Sequence, residues 1–461
     1  MYDVVVVGGG NAGLCAAVTA RALGVSVLLL EAAPRAMRGG NSRHTRNLRA
    51  MHDAPLATLT GRYPFAEYLE DLERVTQGRM TPELAELTIR ESPPLVQWLV
   101  EQGVRFQPAL SGTLSLDRTN AFFLGGGCAL VNALYRRAEA LGVEIRYGHA
   151  VREIVIRNGR FASLKAMTSE NDTREIEGKS LVVASGGFQA NEDWMVEAWG
   201  EAARNFLIRG TPYNTGTVLR QLMSQGFATV AEADQCHAVA IDARAPKYDG
   251  GIVSRLDCVA FGIVVNQEGR RFYDEGEDFW PKRYAIWGRL IARQPGQIAY
   301  AVIDSKVTDQ FMPSLYPPLS ADSLEDLALR IGVEWDALTD TVSRFNHAVQ
   351  RQGSYDHQTL DGCATLGLTP DKTNWALPID KPPFHAYPLR PGITFTYLGL
   401  KVNQRAQAMR VNGDVCVNVF AAGEVMAGNI LGQGYCAGTG MTIGGVFGRI
   451  AGKGAAEAAT A

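Results

Sequence analysis

Residues 2–31 constrain this chain more than any other stretch. Tyr2 to Val7 is a short run, mostly valine, that suits a buried parallel strand. It enters Gly8-Gly9-Gly10-Asn11-Ala12-Gly13, a GxGxxG, and then a helical pattern of Leu14, Ala17, Val18, Ala20 and Leu23 that Gly24 closes. A second apolar run, Val25 to Leu30, ends in Glu31, 18 residues after Gly13. Strand, glycine turn, helix, strand and acid in this order read as the start of a dinucleotide-binding fold. Gly8 permits the tight turn, Gly10 lets a pyrophosphate approach the backbone, and Gly13 lets the helix pack close to the strand. The helix start, with Asn11 and Ala12, offers free N–H groups and positive potential to the phosphates. Glu31 stands near the usual spacing for a ribose hydroxyl contact.

Either FAD or a nicotinamide dinucleotide could lie on such a turn. Its position at the start of a 461-residue chain leans toward FAD, and so does the segment after Glu31. Gly39-Gly40-Asn41-Ser42 joins two glycines to small polar residues, which lets a flavin lie against the backbone. Arginines 35, 38, 43, 46 and 49 surround that segment. Arg35 and Arg38 read as solvated. Arg43, Arg46 and Arg49 are candidates for meeting the pyrophosphate or an anionic substrate.

Composition narrows the alternatives. With 45 Lys+Arg against 48 Asp+Glu, the near-cancelling charge argues against a nucleic-acid binder that works through a large positive field. A 46% hydrophobic content excludes a disordered chain. Seven scattered cysteines without a CxxC pair speak against a disulfide framework, an iron–sulfur centre or a zinc site, and seven histidines lack metal-like spacing, so no metal is expected. No signal peptide and no apolar stretch long enough to span a bilayer is read. The expected location is cytoplasmic, with peripheral attachment to the inner membrane through an electron-transfer partner left open.

Farther along, Gly125-Gly126-Gly127 precedes a helix-like stretch ending at Gly142, and Val143 to Tyr147 reads as a strand. Val151–Ile156, Phe161–Met167 and Thr173–Ile176 alternate as a small antiparallel meander. Leu181 to Ala184 reads as another buried strand, stopped by Ser185-Gly186-Gly187. From about 250 to 385 tryptophans and prolines gather, around one helical stretch, Ser323–Gln352. Val417–Ala422 then reads as a strand, followed by Gly423-Glu424 and a helix from Met441 to Ala459, whose start near Gly438–Thr442 could stabilise charge on a flavin. The expected fold class is α/β: a Rossmann-like FAD-binding domain with a small β-meander and an inserted α+β capping domain. The expected divisions are 1–240 and 388–461 for FAD binding and 241–387 for the cap.

These pieces together resemble the fumarate reductase and succinate dehydrogenase flavoprotein superfamily. The matching segments are GGGNAG with Glu31, GGNS at 39–42, the stretch 125–147, ASGGF at 184–188, VNQEGRRF at 265–272, AAGEV at 421–425 and GTGMTIGGVFGRIAG at 438–452. GGNSRHTRNLR with GNILGQGYCAGTGM looks most like the tricarballylate dehydrogenase branch. The resemblance implies an FAD-dependent oxidoreductase acting on CH–CH bonds, oxidising a polycarboxylate such as tricarballylate to cis-aconitate. A fumarate-reductase-like ene reductase, a 3-ketosteroid-type dehydrogenase and a non-catalytic flavoprotein are the alternatives. The implied partners are a small anionic substrate and a separate electron acceptor, a quinone or redox protein, with no nucleic acid.

The resemblance also implies site residues. FAD would contact Gly8, Gly10, Asn11, Ala12, Gly13, Glu31, Gly40, Asn41, Ser42, Val151, Ser185, Gly186, Glu424, Gly440, Met441 and Thr442. Asn41 stands where membrane-complex members carry FAD on a histidine. An amide cannot form that bond and His44 is out of register, so noncovalent FAD is expected. His237, in Gln235-Cys236-His237, matches a carboxylate-binding histidine. Arg283 is the best match to a proton-shuttling arginine, although Lys282 and Arg289 compete for the register. An arginine base needs a relay, because its free pKa lies above about 12. Phe395 stands in place of a second histidine and Tyr435 in place of a second arginine. Thr396 could help bind a polyanion, and Tyr435 and Tyr397 are alternatives for proton transfer.

Overall fold

A computed structural model describes residues 1–109, 116–350 and 353–461. The opening unit forms β1 (Tyr2–Val7), α1 (Asn11–Ala22) and β2 (Val27–Glu31). Then come α2 (Gly126–Leu141) and β3 (Glu144–Tyr147). β1 pairs in parallel with β2, and β2 with β3. Val4, Val5 and Val6 are wholly buried, because parallel neighbours and covering helices leave β1 no face to water.

The meander forms as β4 (Ala150–Arg157), β5 (Arg160–Met167) and β6 (Thr173–Val183). Here the structure departs from expectation. Thr173–Ile176 and Leu181–Val183 are one strand, not two. Its first half pairs antiparallel with β5, and its second half pairs in parallel with β1. The polar residues at Glu177 and Lys179 hide that continuity, since they are the outward positions of an alternating strand with Gly178 and Ser180 buried between them.

The cap is an antiparallel sheet made of β7 (Cys236–Asp242), β8 (Ile263–Asn266), β9 (Ala299–Asp304) and β10 (Phe384–Thr396), in the order β7-β10-β9-β8. The helical stretch expected at Ser323–Gln352 is two helices, α3 (Leu324–Ile331) and α4 (Trp335–Ala348). Gly332 ends the first in the left-handed region, at φ +68°. Gln352 lies outside the described residues. Leu207–Ile208 also pairs with β10, and β7 and β10 straddle positions 240/241 and 387/388. The cap sheet thus recruits residues on both sides of the expected divisions.

The chain then returns. β11 (Gln407–Met409) pairs with β12 (Val415–Ala421), which joins β6 in parallel. α5 (Thr439–Thr460) closes the fold and packs on α1. Gly448 and Gly452 set that approach: a Cβ would lie 2.5 Å from the Ala12 carbonyl oxygen at the first and 2.3 Å from that of Ala16 at the second. Among the described residues no helix is long and apolar enough to cross a membrane.

Candidate functional site

The C-terminal ends of β1, β2, β6 and β12 open on one elongated cleft, as parallel strands do at a topological switch. Gly8, Gly10, Asn11, Ala12, Glu31, Gly40, Asn41, Ser42, Val151, Ser185, Gly186, Glu424, Gly440 and Met441 all line it. Gly13 does not. A Cβ there would sit 1.9 Å from the Gly8 carbonyl oxygen, so Gly13 serves the cleft through packing of α1 on the turn. Thr442 does not line the cleft either. It is fully buried, and its hydroxyl donates to the Arg49 carbonyl at 2.5 Å, turned away from the cleft.

The cleft residues suit a dinucleotide. A Cβ on Gly10 would meet nothing nearer than Ser42 Oγ at 3.5 Å, which leaves the turn open to a phosphate. Gly10 has no side chain to cap α1; the Asn11 N–H donates to Ser42 Oγ at 3.0 Å, and the positive end of the helix faces the cleft. Glu31 is buried, accepts from the N–H of Ala33 at 2.9 Å and Gly39 at 3.3 Å, and lies beside the Tyr135 hydroxyl. Burial raises its pKa against those donors. Glu424 accepts from the Thr396 N–H and from Asn214 Nδ2, each at 3.1 Å, and burial pushes its carboxyl up to about 8. The Asn41 amide is committed at both ends: Nδ2 donates to the Thr394 carbonyl at 2.6 Å, and Oδ1 accepts from the Thr211 N–H at 2.9 Å.

A second, smaller pocket adjoins the cleft and shares Asn41, Thr45, Thr394, Tyr435 and Met441 with it. Arg46, Arg209, Arg255, His44, His237 and Tyr284 complete the chemistry of its wall. Arg255 is paired with Asp257 at 2.7 Å, and Asp257 also accepts from Trp280 Nε1 at 2.7 Å. Burial opposes the Arg255 charge, but Asp257 more than offsets it. Arg46 and Arg209 have no carboxylate partner among the described residues. Arg209 is buried and donates to the Thr394 hydroxyl at 2.9 Å and the Gly251 carbonyl at 3.3 Å. Arg46 reaches the Met312 sulfur at 2.9 Å, and its Nη2 is shielded without a partner. Burial, with Arg255 nearby, lowers both guanidinium groups to about 10. Both remain cationic at neutral pH.

His237 is 3% exposed, and neither ring nitrogen has a hydrogen-bond partner among the described residues. Its ring stacks on Tyr435 and meets Phe395 and Tyr284 edge-on. Burial, then Arg209 and Arg255, hold it well below the ordinary histidine range, hence neutral. Tyr435 sits where cleft and pocket join, and its hydroxyl accepts from the Gly440 N–H at 3.2 Å.

Other expected residues lie elsewhere. Arg283 lines neither space. Its guanidinium pairs with Glu277 and donates to the Tyr273 hydroxyl at 2.8 Å, because the chain turns between Arg283 and its pocket-lining neighbour Tyr284. Thr396 is wholly buried behind the cleft, where its hydroxyl accepts from the Phe188 N–H at 3.3 Å and its own N–H holds Glu424. Tyr397 is buried with its hydroxyl on the Gly434 carbonyl at 3.1 Å. Arg49 is consumed by Asp71 and Tyr63 at 2.7 and 2.9 Å. Arg35 is exposed, as expected, and Arg38 donates to Asn132. Arg209 and Arg255 carry no sequence signal, since neither lies in a periodic or glycine-rich segment. Among the described residues no group of three or more His, Cys, Asp or Glu could hold a metal ion.

The model of the FAD binding domain family matches residues 3–443. The chain is 28% identical to an NADH:fumarate oxidoreductase of Klebsiella pneumoniae over 474 residues, covering 99% of this chain and 48% of that protein. It therefore spans about half the length of that relative. Its fold matches the open conformation of a flavocytochrome c3 fumarate reductase, with TM-score 0.77 and 22% identity, over 100% of this chain and 79% of the other. It also matches a 3-ketosteroid-Δ4-(5α)-dehydrogenase of Rhodococcus jostii RHA1, with TM-score 0.75 and 22% identity, over 99% and 96%.

Proposed function

The chain belongs to the FAD binding domain family, within the fumarate reductase and succinate dehydrogenase flavoprotein superfamily, and on that premise we propose that it dehydrogenates a polycarboxylate at a CH–CH bond, with tricarballylate to cis-aconitate as the first candidate reaction and FAD held noncovalently. The observation that carries this is the pair Arg46 and Arg209, two cations without a carboxylate partner among the described residues, facing a pocket joined to the cleft. A buried cation costs several kcal/mol unless something compensates it, and a substrate carboxylate is the natural compensation.

Bound FAD supplies a two-electron acceptor for the hydrogen removed with its electron pair. The chain's residues do the rest. Arg46, Arg209 and Arg255 hold carboxylates and fix the substrate's orientation. His237 offers a neutral N–H to a further carboxylate oxygen. Tyr284, Phe395 and Tyr435 exclude water around it. Electrons then leave to a separate acceptor, a quinone or a redox protein.

One observation favours a second reading. Tyr435 accepts from the Gly440 N–H and keeps its own proton, as a phenol polarising a neutral ketone would. Anaerobic titration of the oxidised flavoprotein with di- and tricarboxylates and with 3-ketosteroids separates the two. Bleaching of the flavin band by a carboxylate supports the proposal. Bleaching by a steroid alone overturns it in favour of the ketosteroid type.

A further inference from the structure

Resting on the carboxylate reading, we propose that His44, oriented by Asp249, is the base that takes the second hydrogen from the substrate as a proton. His44 ends the turn Gly40–His44 and lines the arginine pocket. Its Nε2 lies 2.6 Å from Asp249 Oδ1, and the two side chains are 17% and 27% exposed. A carboxylate on Nε2 selects the tautomer that carries its proton there and leaves the Nδ1 lone pair free. Nδ1 has no hydrogen-bond partner among the described residues. Gly251 leaves the space at Nδ1 unfilled: a Cβ there would sit 3.0 Å from that nitrogen.

The loop that carries the orienting group is also the loop that holds a substrate cation. The Asp249 N–H donates to the Gly210 carbonyl at 2.8 Å, and the Gly251 N–H to the Arg209 carbonyl at 2.8 Å. Arg209 Nε returns a hydrogen bond to the Gly251 carbonyl at 3.3 Å. Base orienter and carboxylate anchor are therefore set by one short ladder, so a substrate held by Arg209 lies in a defined relation to His44.

The other titratable groups of the pocket suit this task less well. Arg46, Arg209 and Arg255 are cations. His237 has no carboxylate to stabilise an imidazolium, and two arginines oppose one. Burial holds the protons of Tyr284 and Tyr435 in place, so neither is the phenolate that a tyrosine base would have to be. Of the two pocket histidines, His44 is the one with an acid behind it. Burial, with Arg43 and Arg209, lowers its pKa against Asp249, which keeps the base neutral near pH 7.

The step balances. One substrate C–H breaks with both electrons, and that hydrogen reduces FAD. The neighbouring C–H breaks with its proton passing to Nδ1, and its electron pair closes the C=C bond. The substrate is oxidised by two electrons, and the imidazolium returns its proton to solvent.

The test uses the intact flavoprotein, tricarballylate and anaerobic stopped-flow bleaching of the flavin. His44→Gln keeps a donor toward Asp249 but does not titrate near neutrality. We expect bleaching slowed by about a hundredfold, tricarballylate Kd unchanged within about threefold, and loss of the acid limb of the pH–rate profile. In His44→Ala, added imidazole should restore at least about tenfold, a recovery that a merely structural tie would not show. Bleaching of His44→Gln within about threefold of the parent, or a loss explained by Kd that imidazole does not relieve, overturns the role. Failure of the parent protein to be bleached by any carboxylate overturns the carboxylate reading, and this role with it. Bleaching of parent and variant alike overturns the role alone.

Discussion

His237 lies face to face with Tyr435, their ring centroids 3.9 Å apart and their planes 17° from parallel. Both histidine nitrogens are buried without partners among the described residues, so this stack holds polarity that folding does not need. An unsatisfied buried polar group costs about 1–3 kcal/mol. His237→Phe keeps the stack and removes the nitrogens. Its thermal midpoint should rise by a few degrees, while KM for a carboxylate substrate rises by at least about tenfold. A lowered midpoint with unchanged KM would show the ring to be ordinary core.

The arginines divide in the same way. Arg209 has no carboxylate partner among the described residues, so Arg209→Met should leave urea stability unchanged or higher and weaken carboxylate binding by about tenfold or more. Asp257→Asn strips Arg255 of its counter-charge, and removing one partner of a buried pair costs about 3–5 kcal/mol. That variant should unfold at markedly lower urea. Equal stability losses in the two variants would contradict the assignment of Arg209 to substrate.

Glu424 ties stability to pH. Its folded pKa is about 8 against an ordinary 4.5, so the folded state prefers it protonated. Its contribution is complete below pH 4.5 and is lost as pH rises toward about 8. The thermal midpoint of FAD-stripped protein should therefore fall across that window, and Glu424→Gln should flatten the slope. A slope unchanged by the substitution would place the titration elsewhere.

Asn41 presents no nucleophile to a flavin, and both ends of its amide are already engaged. Acid or heat denaturation should release all the FAD into the supernatant. The polypeptide mass should equal that of the unmodified chain. A flavin-sized mass addition would refute noncovalent binding.

The dinucleotide cleft was legible from residues 8 to 42 because its chemistry is local. A GxGxxG between a valine strand and a helix imposes its own turn, and the acid at Glu31 follows at a spacing set by one helix and one strand. The same local logic placed the start of α5, whereas Glu424 came from the family resemblance. Thr442 and Thr396, which the family resemblance implied, do not line the cleft and are buried in the core. Local logic split β6 in two, since outward polar residues look like a break when only the pattern is seen.

The arginine pocket could not be read that way. Arg46 comes from the glycine-rich turn, Arg209 from the strand edge that joins the cap, and Arg255 from the cap itself. Their charges come together only because folding brings the buried Arg209 and Arg255 and the half-buried Arg46 to one void, with a single carboxylate, Asp257, paired among them. Arg283 has the right neighbours in sequence and the wrong ones in space. Sequence alone determined the α/β class and the glycine turn that opens on the cleft, because backbone geometry and helix polarity are written in short segments. Which side chains face the substrate was decided only by the tertiary structure, because charge compensation and desolvation depend on residues hundreds of positions apart.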